Sequence, residues 1–166
     1  MQHLKSGELV ALEHQERYYL FLVLSPSAFF GCQWVFALHR TFGEIPKAEC
    51  VNVGAEAGFV ALVDFIKPRR SNSVIRIGKG VETTPFLSFA YTKALIRNVD
   101  GTGLWFIYDR NSKILRKVEL LSEEELEYPI WSGMHASDAF ELVDARWNPR
   151  VLVSASARGQ YPRREN

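Results

Sequence analysis

A serine, a histidine and an aspartate lie within seven residues of one another, at Ser132, His135 and Asp138. Side chains of these types serve as nucleophile, base and orienting acid in many hydrolases. A nucleophilic serine needs a base within hydrogen-bond reach and is often presented by a Gly-x-Ser-x-Gly turn, a motif that the sequence lacks. We therefore expect Ser132 or His135 to cap a helix, Asp138 to favour the positive end of its dipole, and no residue to be catalytic.

Side chains that bind metals are present, but their spacing is not that of a metal site. The four histidines and two cysteines form no Cys-x-x-Cys and no His-x-x-x-His pair. Cys32 shares a predicted strand face with Trp34 and Phe36, which is typical of a cysteine acting as a small buried hydrophobe. We expect no metal and no other cofactor. Cys32 and Cys50 are expected to be reduced thiols, although a disulfide between them stays open.

The largest group of carboxylates follows a serine, in the order Ser122, Glu123, Glu124, Glu125. A serine with a glutamate three residues later is a capping box, because hydroxyl and carboxylate each accept a hydrogen bond from an orphan amide at a helix start. The same carboxylates could instead form an acidic patch that contacts a basic partner. Trp131 follows in a predicted turn, where a tryptophan either fills a core edge or anchors a partner.

Composition and charge narrow the class of protein. Of the 166 residues, 47% are hydrophobic and 23% are charged, which is ordinary for a globular protein, and the 13% of aromatic residues favours strands. The net charge is +1. The basic clusters at 67–70 and at Arg158, Arg163 and Arg164 lie in a predicted loop and a polar tail rather than on an element that reads nucleic acid. We therefore expect no nucleic-acid partner.

The first residues of the sequence do not show the pattern of a targeting signal. The first residues lack the basic-then-apolar order of a signal peptide. The longest apolar run, residues 18–24, is far shorter than the roughly 20 residues that span a bilayer. The sequence therefore predicts a cytoplasmic protein with no membrane association.

Strands account for most of the elements that must position these residues. Alternating or apolar runs predict strands at 8–12, 18–24, 33–39, 74–77, 94–97, 104–108 and 113–120, and an extended segment at 86–91. The run 59–66 favours a strand through its β-branched residues, while a short helix stays open there. The pattern predicts an α+β fold, mainly antiparallel β, as a twisted sheet or partly open barrel of about 7–8 strands with one or two short helices toward the C-terminus.

Two short helices are predicted in the last third of the chain. The first follows Ser122 and ends at Pro129. The second covers 134–146, where Ala136, Ala139, Phe140, Val143 and Trp147 form one apolar stripe and Glu141 and Asp144 lie on the polar side. We expect a single β-rich domain over 1–153 and a polar, loosely held tail over 154–166.

The order of these motifs resembles the Immunity-26 family of bacterial toxin–immunity systems. Residues 7–12 look like the Gly-Asp start and apolar strand of that family, and 74–78 are similar to its short strand ending in Ile-Gly. Residues 104–109 look like its aromatic strand before a turn, and 121–131 with the last helix resemble its C-terminal arrangement. The chain departs from the family at Glu8, where Asp is usual, and at Val74, where an aromatic residue is usual.

The resemblance implies a small cytoplasmic protein that binds a cognate toxin and blocks it without performing a reaction. The candidate contact residues are acidic or aromatic side chains near the C-terminal elements: Glu123, Glu124, Glu125, Trp131, Glu141 and Asp144. Two other classes stay open. One is a β-rich module that binds a small ligand, and the other is a hydrolase that uses Ser132, His135 and Asp138.

Overall fold

The computed structural model of the protein describes residues 4–26, 32–66, 68, 73–87, 89–97, 103–109, 111–131 and 133–149. The strands within them are β1 (Leu9–His14), β2 (Arg17–Pro26), β3 (Cys32–Phe42), β4 (Gly58–Asp64), β5 (Val74–Gly78), β6 (Tyr91–Arg97), β7 (Gly103–Asp109), β8 (Ile114–Val118) and β9 (Gly133–His135). Helix α1 is Ala136–Asp144, and 3-10 turns cover Ala48–Cys50, Val53–Ala55, Thr84–Phe86 and Glu125–Glu127. The predicted class is confirmed: the fold is mainly β, with few short helices and two open sheets.

The chain divides into two compact units. Unit 1 comprises residues 1–88 and 132–146, and unit 2 comprises 89–131 and 147–166. The single domain over 1–153 stays a prediction, and the predicted tail over 154–166 lies outside the described residues. Within the described part of the chain, no helix is long and apolar enough to cross a membrane.

Unit 1 contains a six-stranded sheet in the order β5-β1-β2-β3-β4-β9. All neighbouring strands pair antiparallel except β4 and β9, which are parallel. The first three strands form an antiparallel meander. Its first turn is tight, because Gln15 and Glu16 both have positive φ, at 50° and 59°, as a two-residue hairpin of type I′ requires.

Strand β2 is covered on both faces, as its two apolar faces predict. Leu20, Leu22 and Leu24 belong to an apolar cluster with residues of β1 and β3. On the other face, the Tyr19 ring lies 4.5 Å from the ring of Phe140, and all of residues 19–24 are buried. Burial of such a strand is the main stabilising term for unit 1, at roughly 25 cal/mol per Å² of apolar surface removed from water.

Strand β4 confirms the favoured assignment of 59–66, over the residues Gly58–Asp64. Its first residue must be glycine, because a side chain on Gly58 would collide with the carbonyl of Ala37 and the ring of Phe36. The extended segment predicted over 86–91 is wrong at its start. Residues Thr84–Phe86 form a 3-10 turn instead, since proline in the first turn already has the φ that such a turn needs.

Helix α1 begins at Ala136 rather than at 134, because the preceding residues pair with β4 as strand β9. His135 is the N-cap, with extended backbone at φ −70° and ψ 155°, and its N–H donates to the Asp138 carboxylate at 3.2 Å. The predicted cap and dipole roles are confirmed for these two residues. The stripe that begins with Ala136 is buried, as predicted.

Unit 2 contains a three-stranded antiparallel sheet in the order β6-β7-β8. A β-bulge interrupts the pairing of β7 with β8 next to Tyr108. The short helix predicted after Ser122 is a single 3-10 turn, Glu125–Glu127. The following chain runs along the free edge of β6, where Ile130 forms a parallel bridge with Lys93.

Candidate functional site

The acidic segment, residues 122–131, begins with the predicted capping box. The Ser122 N–H donates to Glu125 Oε2 at 2.8 Å, and the Glu125 N–H donates to Ser122 Oγ at 3.3 Å. The Arg116 guanidinium also bonds the Glu125 carboxylate, with Nε at 2.9 Å from Oε1. The capping box is therefore confirmed, although it starts a 3-10 turn and not an α-helix.

Glu125 is one of the candidate contact residues, but unlike Glu123 and Glu124 it is not exposed to solvent. Its side chain is only 3% exposed, because both carboxylate oxygens face donors of unit 2. Burial raises the pKa of Glu125, but the Ser122 N–H and the Arg116 guanidinium together outweigh burial and hold that pKa below its ordinary value. Glu125 thus fixes the segment from inside, and its contact with a partner stays a prediction.

Lys93 holds the same segment from the sheet, and sequence analysis did not identify it. Its side chain is fully buried, and its ammonium donates to the carbonyls of Glu125 at 3.2 Å and Leu126 at 2.6 Å. Burial lowers the pKa of Lys93 to about 8, against the opposing effect of Glu127 and Glu125. Lys93 lies just before the predicted strand 94–97, and no local pattern marked it as buried, because lysine is almost never buried without partners.

The backbone of Lys93 binds the segment a second time. Its N–H donates to the Pro129 carbonyl at 2.9 Å, and its C=O accepts from the Trp131 N–H at 2.7 Å. The acidic segment is therefore attached to β6 by backbone and side chain, and this attachment lies directly after the 3-10 turn.

Two predicted contact residues remain on the surface of the segment. Glu123 and Glu124 are exposed, and Glu124 accepts a hydrogen bond from the Tyr128 hydroxyl at 3.0 Å. Burial, followed by that hydrogen bond to Glu124, raises the pKa of Tyr128 to about 12. Trp131 is half-buried and stacks on the Tyr108 ring, with 4.9 Å between ring centroids. The structure thus brings the two carboxylates and the tryptophan onto one short, anchored segment.

The other two predicted contact residues lie in unit 1, on α1. Asp144 accepts two hydrogen bonds from the Arg17 guanidinium, at 3.0 and 3.2 Å, and one from the Tyr19 hydroxyl at 2.9 Å. Burial, and then the bond to Asp144, raises the pKa of Tyr19. Glu141 is exposed. Asp144 therefore joins the helix to β2, and its carboxylate is already occupied by groups of unit 1.

The serine, histidine and aspartate that suggested a hydrolase are only partly described. Ser132 lies outside the described residues. Asp138 bonds the His135 backbone, and the His135 ring has Nδ1 at 4.0 Å from Asp64 Oδ2. The imidazole therefore faces the carboxylate of β4, while the aspartate three residues later caps the helix.

A cleft of about 360 Å³ opens in unit 1 beside this histidine. Its lining combines apolar side chains with carboxylates, hydroxyls and the imidazole: Leu12, Glu13, Asp64, Pro68, Ser73, His135, Ala136, Ser137 and Phe140. The Asp64 carboxylate is oriented by the Ile66 N–H, which donates to its Oδ1 at 2.7 Å. A cleft of this size with a few converging polar groups can hold a small organic molecule.

In the part of the chain that the structure describes, no three His, Cys, Asp or Glu side chains lie close enough together to bind a metal ion. Cys32 is buried and Cys50 is exposed, and both are free thiols. Burial, and then the charge of Asp64, raises the pKa of Cys32, so this thiol stays protonated.

The chain matches no model of a known protein family, no curated protein and no solved structure. Its function is therefore argued from the geometry of its own residues. Two places in the described residues have side chains suited to binding: the acidic segment of unit 2 and the cleft of unit 1.

Proposed function

We propose that this protein is a non-enzymatic, immunity-type binding protein of the bacterial cytoplasm, which neutralises a cognate protein toxin by direct contact. The contact is made by the acidic segment, with Glu123 and Glu124 as charged groups and Trp131 as an aromatic anchor. Such a role needs a rigid surface and charge complementarity, and it needs no cofactor.

The observation that carries this proposal is the way in which the acidic segment is held. Glu125, buried at the start of the turn, bonds Arg116 and Ser122, and Lys93 bonds the two carbonyls that follow. Glu123 and Glu124 are thereby presented on a backbone that is already ordered. A surface ordered before binding loses less conformational entropy when a partner docks, which favours affinity.

Apolar surface next to the carboxylates supports the same role. Leu120, two residues before the segment, is 84% exposed and offers apolar surface beside the carboxylates. Trp131, at the other end, is half-buried. Carboxylates between an exposed leucine and a tryptophan match a partner that offers a basic surface with apolar pockets.

The test is a binding measurement with a toxin captured from the native cells and then purified. We expect the double variant Glu123→Gln, Glu124→Gln to bind that toxin at least tenfold more weakly, chiefly through slower association at low salt. The matched control is Glu44→Gln, Glu49→Gln, which makes the same charge change at two exposed residues of unit 1. Equal losses in both double variants would show that net charge alone matters and would reject the acidic segment as the contact.

The cleft of unit 1 supports a second candidate function, the binding of a small organic ligand. Asp64 and His135 face each other across its polar side, and Phe140 provides an apolar wall. A bound metabolite in the purified protein, released by denaturation and identified by mass spectrometry, would support this function. Asp64→Asn should then lower the amount of that metabolite recovered, whereas Glu16→Gln, at the exposed first turn, should leave it unchanged.

A further inference from the structure

Strand β8 is an edge of the unit 2 sheet. The hydrogen bonds of β6 and β7 show which N–H and C=O groups of β8 point away from the sheet. The Asp109 N–H donates to the Lys113 carbonyl at 3.0 Å, so Asp109 directs its backbone groups toward β8. Backbone direction alternates along a strand, and Ile107 therefore does the same toward its partner Arg116. Lys117, the next residue, directs its N–H and C=O away from β7.

The other edge of the sheet gives the same alternation independently. Lys93 uses its N–H and C=O for Pro129 and Trp131, which lie on the side of β6 away from β7. Its partner Ile107 consequently has its backbone groups turned toward β8. In the sheet formed by the described residues, no strand lies beyond β8, so the outward groups of Lys117 face an open edge.

Two apolar side chains of this edge are exposed. Ile114 is 46% and Leu115 is 50% exposed, and every residue from 114 to 117 is classed as exposed. An accessible edge strand with apolar side chains is a template for pairing with another strand. Side chains that alternate along an added strand could contact both leucine and isoleucine.

Charge determines which strand would fit. Residues 113–118 carry three basic side chains, Lys113, Arg116 and Lys117, and no acidic one. A second copy paired antiparallel on this edge would place these like charges against one another, which is unfavourable. An acidic strand would instead oppose Lys113 and Lys117 with carboxylates, while Arg116 already bonds Glu125.

We propose that the outer edge of β8 binds an extended, acidic segment of another protein by strand addition. The backbone of Lys117 supplies one donor and one acceptor, Lys113 and Lys117 pair with acidic side chains, and Ile114 and Leu115 pack against the apolar ones. This site is distinct from the acidic segment, and it stands or fails independently of the proposed toxin contact.

The first test follows backbone amide exchange by NMR in the full chain. The probe is a seven-residue peptide of Glu and Val that carries Glu on both faces of its extended strand, because Lys113 and Lys117 lie on opposite faces of β8. The control peptide has Lys in place of Glu. We expect saturating acidic peptide to slow exchange of the Lys117 amide by roughly tenfold, because that amide gains a hydrogen bond. Exchange of the Arg116 amide, which already faces β7, should change little. An unchanged Lys117 amide, or equal slowing by the basic peptide, would overturn the proposal.

A pair of variants separates the backbone from the charge. Lys117→Pro removes the outward N–H and is tolerated on an edge strand, whereas Lys117→Gln removes only the charge. We expect the proline variant to lose about tenfold or more in affinity for the acidic peptide, and the glutamine variant to lose a few-fold. Equal affinity of Lys117→Pro and the unchanged protein would contradict strand addition.

A sedimentation experiment tests whether a second copy of the chain binds the edge of β8. We expect Lys117→Pro to leave the sedimentation of the protein unchanged, because this edge does not pair with a second copy. A dimer that this substitution dissociates would assign the edge to self-pairing and overturn the acidic partner. Loss of toxin binding in the Glu123→Gln, Glu124→Gln variant bears only on the acidic segment, so the two proposals fail separately.

Discussion

The two units of the protein distribute apolar and charged groups in opposite ways. Unit 1 buries a large apolar cluster along β1, β2 and β3, and its main buried polar side chain, Gln33, bonds a backbone carbonyl at 3.1 Å. Unit 2 buries Lys93 and Glu125. It also carries five of the six large apolar side chains that are exposed among the described residues: Tyr91, Ile96, Ile114, Leu115 and Leu120.

This difference indicates a division of tasks. A sheet held by apolar burial tolerates a polar surface and needs no buried charge, as in unit 1. Buried charges cost solvation energy and stabilise a fold only through good hydrogen bonds, but they fix a particular arrangement. In unit 2 they fix the acidic segment, while exposed apolar side chains stay available to partners. The two proposed protein contacts both lie in unit 2, whereas unit 1 carries the apolar cluster and the cleft.

The largest expected effect concerns the apolar basis of unit 1. Leu22→Ala should lower the free energy of unfolding by about 2–5 kcal/mol, because it leaves a cavity in a fully buried cluster. The matched control is Leu120→Ala in unit 2, where an exposed leucine should cost about 0.5 kcal/mol or less. Urea unfolding followed by tryptophan fluorescence measures both. Similar losses for the two leucines would contradict the contrast between the units.

The next effect concerns the buried carboxylate of unit 2. Glu125→Ala should destabilise the protein by about 1.5–3 kcal/mol, since it removes charge-assisted bonds to Arg116 and Ser122. Glu124→Ala, which removes an exposed carboxylate one residue earlier, should cost about 1 kcal/mol or less. Thermal unfolding of the two variants gives the comparison. A larger loss for Glu124→Ala would show that the segment is held from its surface.

Lys93 gives unit 2 a characteristic pH dependence. Its pKa is about 8 in the folded chain and ordinarily 10.5, so between these values the folded chain releases a proton that the unfolded chain keeps. The free energy of unfolding therefore rises with pH in this window, by about 2 kcal/mol from pH 7 to pH 9.5 for this group alone. Lys93→Met should lack that rise.

The measurement is the difference between the unfolding free energies of the unchanged protein and Lys93→Met across pH 7–9.5. The difference isolates Lys93, because Cys32 and the tyrosines, whose pKa values burial raises, titrate alike in both proteins. A difference that stays flat with pH would show that the Lys93 ammonium is not buried as the structure has it.

The smallest expected effect concerns the start of α1. Asp138→Ala should cost about 1 kcal/mol, because the His135 N–H loses its acceptor and the helix loses a carboxylate at the positive end of its dipole. Glu141→Ala, on the same helix but past its first turn, should cost less. Thermal unfolding measures both. A loss of several kcal/mol at Asp138 would require a role beyond the cap.

Much of the fold could be predicted from local pattern. The meander of β1, β2 and β3 follows from alternating or apolar runs of five to seven residues, and α1 follows from a stripe at helical spacing. The three-residue strand β9 could not be predicted, since only its parallel pairing with β4 distinguishes it from the helix that follows. The 3-10 turn at Thr84–Phe86 was not predicted, because the φ of proline also suits extended backbone.

The candidate site was predicted in part. The capping box at Ser122 and Glu125 was visible because both residues act on amides three positions away. That the same glutamate would be buried could not be seen, because its burial depends on Arg116 of β8 and on the sheet beneath. Contact with a toxin by Glu123, Glu124, Glu125, Trp131, Glu141 and Asp144 stays a prediction.

The sequence by itself determined most of the strands and the caps at Ser122 and His135, because those features depend on side chains two to four positions apart. Only the tertiary structure decided which polar groups meet. Lys93 bonds carbonyls 32 and 33 residues further along the chain, and Arg17 bonds a carboxylate 127 residues away. Such pairs depend on sheet register and burial, which no local pattern encodes, and they convert a row of glutamates into one buried anchor and two exposed charges.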